Sequence, residues 1–209
     1  MKEVYLDYSS ATPLDPRVER VMAPFWNGAF GNPSSLHQKG REAKKAIEDA
    51  RKSVAAILHC RPSEIVFTSG ATEADNLAIL GAMHRAGLST KGEHVIASKI
   101  EHHAVLGPLE ELRKRGWAIT YLDVDRDGFV DTGSVAKAIR PDTRLISISF
   151  ANNEIGSIQP IPEIGKLTKR FRGENRTPWP LFHSDASSAA GFLDLNVDRL
   201  GVDLLTLNS

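Results

Sequence analysis

The sequence predicts an α/β protein built on a mostly parallel sheet with helices on both faces. Short β-rich runs alternate with amphipathic helical segments, and strand–helix–strand repetition of this kind requires crossovers that cover the sheet. Small or polar residues follow the predicted strands, at the edge where such sheets bind their ligands. The predicted strands are Ile65–Phe67, His94–Ala97, Ala118–Leu122, Leu145–Phe150, Trp179–His183 and Leu204–Leu207.

Helices are predicted wherever apolar residues recur three or four positions apart. The predicted helices cover residues 41–58, a segment around Leu77–Met83 that Gly87 can end, a segment around Val105–Leu112 that stops near Gly116, and a segment around Ile164–Phe171 that follows Pro162. The first forty residues are rich in Pro, Gly, Ser and Asn, which predicts loops with one short helix. We therefore expect residues 1–40 to form an N-terminal arm rather than part of the sheet.

Composition narrows the class of protein. The 26 basic and 26 acidic residues give a net charge of zero, so nothing in the charge balance indicates nucleic acid or an anionic membrane as a partner. The single cysteine, Cys60, excludes an internal disulfide and suits a reducing compartment. The N-terminal residues lack the apolar core of a signal peptide, and no apolar run is long enough to span a bilayer. We therefore expect a cytoplasmic protein.

The stretch Ser69–Thr72 joins the first predicted strand to a helix. Backbone N–H groups at a helix start favour an anion such as phosphate, while Gly70 removes side-chain bulk and Thr72 adds a hydroxyl donor. A plain N-cap, in which Ser69 or Thr72 caps the helix, is the favoured interpretation of these four residues alone.

Glu101, His102 and His103 follow the second predicted strand. Neighbouring residues on a helix point in different directions, which disfavours a joint metal site. A histidine there could stack on a flat ligand or move protons, whereas a solvated helix start is the safest interpretation of the three residues alone. The segment Asp123–Gly128 resembles the start of a calcium loop but has Ser134 where the loop needs glutamate, so we interpret it as a turn.

Two further polar clusters, one after the fourth predicted strand and one after the fifth, could contribute to a binding site. Asn152 and Asn153 offer directional donors and acceptors, and Asp185 could pair with a cationic ring nitrogen. A structural turn and a local cap are the respective alternatives. Because the clusters fall at one edge of the predicted sheet, together they favour a small-molecule site.

Seven segments in chain order resemble the cysteine desulfurases of the NifS/IscS type, in the class-V aminotransferase group. They read YLDYSSATPLDPRV, FGNPSSLHQKGREA, EIVFTSGATEADNLAI, HVIASKIEHHAVL, SISFANNEIGSIQPI, HSDASSAAG and VDLLTLNS. The match covers essentially the whole chain, and its combination of motifs is highly specific. The resemblance implies that residues 41–209 are the incomplete large domain of a fold-type I enzyme that binds pyridoxal 5′-phosphate, and that residues 1–40 are an arm or small-domain segment. It further implies removal of sulfur from L-cysteine, giving L-alanine and an enzyme persulfide for iron–sulfur cluster or for thio-cofactor and tRNA synthesis.

The resemblance also implies roles for five residues. Ala71 and Thr72 would hold the cofactor phosphate, His102 would lie over the ring and move protons as the catalytic residue, and Asn153 would bond the phenolic oxygen. Asp185 would pair with the ring nitrogen and keep it protonated, so that the ring withdraws electrons from the substrate. No metal is expected. The implied partners are a sulfur acceptor or iron–sulfur scaffold protein and a second copy of the chain in a homodimer.

Two features depart from the family pattern. Ser188 stands where the family commonly has glutamine as a second partner of the phenolic oxygen. The family's cofactor-binding lysine and sulfur-accepting cysteine would both lie beyond Ser209, and neither Lys99 nor Cys60 matches them. We therefore expect a fragment or one half of a split enzyme, inactive by itself. The alternatives are another class-V enzyme such as a selenocysteine lyase, and a truncated non-catalytic protein that binds the cofactor or acts as a scaffold.

Overall fold

The computed structural model describes residues 4–8, 11–85 and 92–208. The chain falls into two compact units, Met1–Ile65 and Val66–Ser209. In the first unit, helix α1 (Pro16–Asn27) begins at Asp15, whose carboxylate accepts the N–H of Arg17 at 2.7 Å. Helix α2 (Gln38–Leu58) follows and spans the boundary between residues 40 and 41 that the sequence analysis set; the division into an arm and a large domain stays a prediction.

The second unit is built on a five-stranded sheet in the order β2-β1-β3-β4-β5, and every neighbouring pair is parallel. The predicted α/β fold is confirmed. The strands are β1 (His94–Ser98), β2 (Ala118–Leu122), β3 (Thr143–Ser147), β4 (Leu181–Asp185) and β5 (Leu204–Thr206). All five carboxyl ends therefore lie at one edge of the sheet, which is the edge where the sequence predicts a site.

Helices connect these strands. A continuous helical segment comprises α3 (Ala71–Asn76), a π-helical stretch (Leu77–Gly81) and α4 (Ala82–Arg85), with helical backbone angles at both junctions. The later helices are α5 (His103–Lys114), α6 (Thr132–Ala138), α7 (Ile161–Asn175) and α8 (Val197–Leu200). The short helix α6 was not predicted; it starts at Asp131, whose carboxylate accepts the N–H groups of Gly133 and Ser134.

The main core lies between β1 and the helices packed on it. Buried side chains from the α3–α4 segment, β1, β3 and α5 form one cluster, in which the apolar residues of α5 recur at helical spacing. Its buried members are Ile79, Met83, Val95, Ala97, Val105, Leu109, Leu112, Trp117 and Leu145.

Two predictions about this region are wrong. The run Ile65–Phe67 forms no strand, and Val66 and Phe67 are exposed, because no strand of the described residues pairs with it. The spacing of Leu77, Leu80 and Met83 predicts that they share the buried face of the helix after Gly70. Met83 is buried there, together with Ile79, but Leu77 is 50% exposed. The predicted helix end at Gly87 lies outside the described residues.

The segment Asp125–Gly128 forms a tight turn in which the Asp125 carboxylate accepts the N–H groups of Asp127 and Phe129. Within the described ranges, no three His, Cys, Asp or Glu side chains come together as metal ligands. Among the same residues, no helix combines the length and the apolar character needed to cross a bilayer.

Candidate cofactor site

Backbone hydrogen bonds extend the sheet past its strand ends and tie the polar loops together. Phe150 N–H donates to the carbonyl of Asp185 at 2.8 Å, and Ala186 N–H donates to that of Thr206 at 2.9 Å. The loops that carry Asn153 and Asp185 are therefore fixed to adjacent strands at one edge of the sheet.

The helix start after Gly70 carries no side-chain cap. The interpretation in which Ser69 or Thr72 caps it is therefore wrong. A Cβ atom placed on Gly70 would meet no atom of the described residues within 4 Å, so these residues leave the space beside Gly70 open. Thr72 is exposed on the first turn, beside N–H groups that a helix leaves without internal partners. This end of the site has the geometry and the partial positive charge that an anion requires.

His102 lies at the start of α5, where its Nδ1 accepts the N–H of Ala104 at 3.1 Å. In the neutral ring the proton therefore resides on Nε2. His102 and Thr72 both line an open cavity of about 390 Å³, together with Leu80 and Pro108. The structure thus brings two of the predicted residues to one cavity, with an exposed imidazole available to a ligand.

Glu101 differs sharply from its two neighbours. It is 6% exposed, so the solvated interpretation of the trio is wrong for this residue. Its carboxylate accepts hydrogen bonds from the Ser98 hydroxyl at 2.5 Å and from the Ser149 N–H and hydroxyl. Burial raises the pKa of Glu101 to about 7. Glu101, the residue before His102, therefore links the end of β1 to the segment after β3 through hydrogen bonds.

Asn152, rather than Asn153, is fixed by its side chain. The amide Nδ2 of Asn152 donates to the carbonyl of Ile100 at 3.1 Å, and its Oδ1 accepts the N–H groups of Glu154 and Ile155. Asn153 is exposed at the turn that Asn152 holds. The loop after β3 is thus tied to the loop that carries His102.

Asp185 is the last residue of β4 and is 8% exposed, with one carboxylate oxygen accepting the Ser187 N–H at 2.9 Å. The carboxyl group of Asp75 on α3 is also buried, and it interacts electrostatically with Asp185. Burial and the negative charge of Asp185 raise the pKa of Asp75 to about 7. Glu101 adds a smaller repulsion at Asp75. Three acidic side chains therefore share the edge of the sheet.

Comparison with known proteins decides the family. A model of the family described as "Aminotransferase class-V" matches residues 4–209. The chain belongs to the class-V aminotransferases.

Relatives of this aminotransferase chain carry desulfurase names. "Cysteine desulfurase IscS" of Dictyoglomus turgidum is 51% identical over 208 residues, which are 100% of this chain and 50% of the relative. "Putative cysteine desulfurase IscS 1" of Bacillus subtilis is 46% identical over 209 residues, 100% of this chain and 52% of the relative. The predicted resemblance to the NifS/IscS type is confirmed. The chain spans about half the length of the curated relatives it matches.

Experimental structures agree with the sequence comparison. A structure titled "SspA in complex with cysteine" superposes with a TM-score of 0.89 at 39% identity, covering 98% of this chain and 56% of that one. A "NifS-like protein" gives a TM-score of 0.86 at 34% identity, covering 96% of this chain and 53% of the other.

The residues of this class-V aminotransferase fit pyridoxal phosphate at both of its charged ends. The uncapped helix start at Gly70 suits the phosphate, and the uncompensated acidic group around Asp185 suits a protonated ring nitrogen. Neither oxygen of Asp75 accepts a hydrogen bond of ordinary geometry from the described residues, so this buried carboxyl group beside the site lacks a partner.

Sequence reasoning missed Asp75 as part of this region, and it did not predict that Glu101 is buried there. Asp75 precedes the buried residues Ile79 and Met83 by four and eight positions, so helical spacing could have placed it on the inner face. No local signal could have shown the burial of Glu101, because it depends on Ser149, 48 positions away.

Proposed function

We propose that the protein carrying this chain is a pyridoxal phosphate-dependent cysteine desulfurase that converts L-cysteine to L-alanine and a protein-bound persulfide. The observation that supports this most is the pairing of an anion site with a cation site at one sheet edge. Thr72 stands on the open helix start, and Asp75, one turn later on the same helix, lies in the field of Asp185. A ligand that is anionic at one end and cationic at the other matches this arrangement.

The chain's own residues would each act at one part of the cofactor. Ala71 and Thr72 would bind the phosphate through backbone N–H groups and a hydroxyl, and Asn153 would donate to the phenolic oxygen. Asp185 would hold the ring nitrogen in its protonated form. When bound, pyridoxal phosphate draws electrons from the α-carbon of an attached amino acid and so weakens the bonds around it.

His102 would be the proton-moving residue. Its Nδ1 is occupied by the Ala104 N–H, so Nε2 is the nitrogen that faces outward and exchanges a proton with a ligand. The short segment before it is fixed by Glu101, which keeps the imidazole at the rim of the cavity.

The wider assignment follows the names of the relatives. We propose that residues 41–209 belong to the cofactor-binding domain, that residues 1–40 contribute to an arm or small domain, and that the protein is a cytoplasmic homodimer. A sulfur-acceptor or iron–sulfur scaffold protein would take up the persulfide sulfur. The relatives titled cysteine desulfurase support this proposal through 51% and 46% identity over this chain.

The decisive experiment compares two Asp→Asn variants of the complete protein. Asp185→Asn removes a charged partner of the ring nitrogen, and we expect pyridoxal phosphate to bind about 10- to 100-fold more weakly, as expected for a lost hydrogen bond between charged groups. The matched control is Asp123→Asn, at the carboxyl end of β2, whose side chain is 83% exposed and pairs with Lys99. We expect the control to change binding by less than about twofold.

Binding is measured from the absorbance of the bound cofactor, and sulfide and alanine are measured after addition of L-cysteine. Wild-type protein that binds no pyridoxal phosphate would overturn the cofactor assignment. Protein that binds it but releases no alanine from L-cysteine would overturn the desulfurase assignment, and faster turnover of L-selenocysteine would favour a selenocysteine lyase.

A further inference from the structure

Asp75 is buried without satisfying its hydrogen-bonding capacity. It has no exposed surface, and neither of its oxygens accepts a hydrogen bond of ordinary geometry from the described residues. The Thr206 hydroxyl nevertheless lies near enough to favour the ionised form. Buried polar groups in native proteins are nearly always satisfied, so an unsatisfied carboxyl group points to a state of the site in which it has a different environment.

His183 is an ionisable neighbour of Asp75, with Nε2 lying 3.5 Å from Oδ1. The imidazole is held between two hydroxyl groups, that of Ser147 at 2.9 Å from Nδ1 and that of Thr206 at 3.1 Å from Nε2. Burial lowers the pKa of His183 to about 4. At neutral pH the ring is therefore uncharged and fixed across three strands, and it gives Asp75 no positive charge.

The remaining charges around Asp75 are negative. His183 and Asp185 are two positions apart on β4 and therefore lie on the same face of the sheet. Among the described residues, the charges that act on Asp75 are those of Asp185 on β4 and Glu101 in the loop after β1, and β5 contributes the Thr206 hydroxyl. Two buried carboxyl groups that repel each other, with no cation from the described residues acting on Asp75, favour one bound proton.

We propose that Asp75 is a positioning residue for the cation end of the site: it holds a proton while Asp185 lacks a cationic partner, and it releases that proton when a cationic ring nitrogen binds to Asp185. This inference rests on the proposed function. In this step the O–H bond of the Asp75 carboxyl group breaks, the electron pair stays on oxygen, and the proton passes to the solvent. No oxidant or reductant is involved.

The position of Asp75 on the helical segment gives this change a structural consequence. Asp75 follows Thr72 by three residues, so the two side chains lie one turn apart on the segment whose start would bind the phosphate. Ionised Asp75 would accept a hydrogen bond from Thr206 or His183, which would fix the helix start relative to β4. Binding of a cation at Asp185 would thereby fix the position of the phosphate-binding helix start relative to Asp185.

Titration calorimetry of the complete apoprotein with pyridoxal phosphate tests the proposal. Comparing two buffers of different ionisation enthalpy gives the number of protons released on binding. Since the pKa of Asp75 lies at about 7, wild type should release up to roughly half a proton more per site at pH 7 than Asp75→Asn, and up to about 0.9 more at pH 6. Asp123→Asn, the exposed control, should match wild type. Equal proton release by wild type and Asp75→Asn at both pH values would overturn the proposal.

Two further measurements separate the possible failures. With an analogue in which carbon replaces the ring nitrogen, the difference between wild type and Asp75→Asn should vanish, and a difference that persists contradicts the proposal. If Asp75→Asn does not fold, infrared difference spectra of wild type with ¹³C-labelled aspartate replace it. Binding should then remove a protonated-carboxyl band that shifts with the label, and an unchanged band refutes the inference. Absence of any cofactor binding by wild type refutes the proposed function itself.

Discussion

Replacing Glu101 by glutamine should make the protein's stability less sensitive to pH. The carboxyl group of Glu101 is buried between the end of β1 and the segment after β3, where Ser98 and Ser149 donate to it. Glutamine keeps the size of the side chain but holds no charge at any pH. The substitution therefore separates the effect of ionisation from the effect of filling the space.

The size of the effect follows from the rise in the pKa of Glu101 from 4.5 to about 7, which corresponds to roughly 3 kcal/mol. Because the folded-state pKa is raised, the folded protein binds the proton more tightly than the unfolded chain. The contribution is fully present below pH 4.5 and is lost as the pH rises through about 7. Between pH 5 and pH 8, the free energy of unfolding of Glu101→Gln relative to wild type should therefore increase by about 2–3 kcal/mol.

Urea unfolding of the apoprotein at both pH values measures this double difference, in which any constant cost of altered hydrogen bonds cancels. The matched control is Glu110→Gln on α5. Arg113 lowers the pKa of Glu110 below its usual 4.5, so the control's effect on stability should be nearly the same at pH 5 and at pH 8. An offset between Glu101→Gln and wild type that is also the same at both pH values would refute the claim that Glu101 ionises while buried.

Two other predictions concern the opposite end of the sheet and the packing of α7. His94 is buried between the hydroxyls of Thr143 and Thr120, and burial lowers its pKa from 6.5 to about 4. The neutral ring therefore contributes stability that is fully present above pH 6.5. This contribution to the free energy of unfolding should fall by roughly 3 kcal/mol as the pH drops to 4. His94→Gln should lose that part of the pH dependence of urea unfolding, and an unchanged profile would contradict the assignment. On α7, Gly165→Ala should destabilise the protein by about 1–3 kcal/mol because the new Cβ would lie 2.3 Å from the carbonyl oxygen of Leu200. Gly173→Ala on the same helix meets no atom within 4 Å and should stabilise by up to about 1 kcal/mol; thermal unfolding of both variants checks the pair, and equal shifts would refute the packing argument.

The parts of the fold that depend on local pattern were predictable. The runs at His94, Ala118 and Leu204 became strands that begin at those residues, because each run has apolar residues that a covered parallel sheet buries. The run Ile65–Phe67 has the same composition but forms no strand. A strand needs a neighbour to pair with, and the identity of that neighbour is not written in the run itself.

The candidate site, like the fold, was only partly predictable from the sequence. That polar residues follow the strands was visible in the sequence, and parallel pairing put them at one edge. Which of them became buried was not visible, since it depends on contacts between distant segments. Glu101 and His102 are neighbours in sequence, yet Glu101 is enclosed by Ser98 and Ser149 while His102 stays exposed at the cavity.

The buried acids distinguish a ligand site from a structural network. A structural ion pair places a base beside its acid, as Arg172 on α7 lies 2.8 Å from the carboxylate of Asp203, just before β5. Asp75 instead faces Asp185 and a histidine that is uncharged at neutral pH. Such an arrangement lowers stability above the raised pKa, and packing alone would not require it, because an asparagine of the same size carries no charge. Under the proposed function, a cation that binds at Asp185 would remove this cost only while it is bound, and the stability that the protein lacks without its ligand would become affinity for a protonated ring.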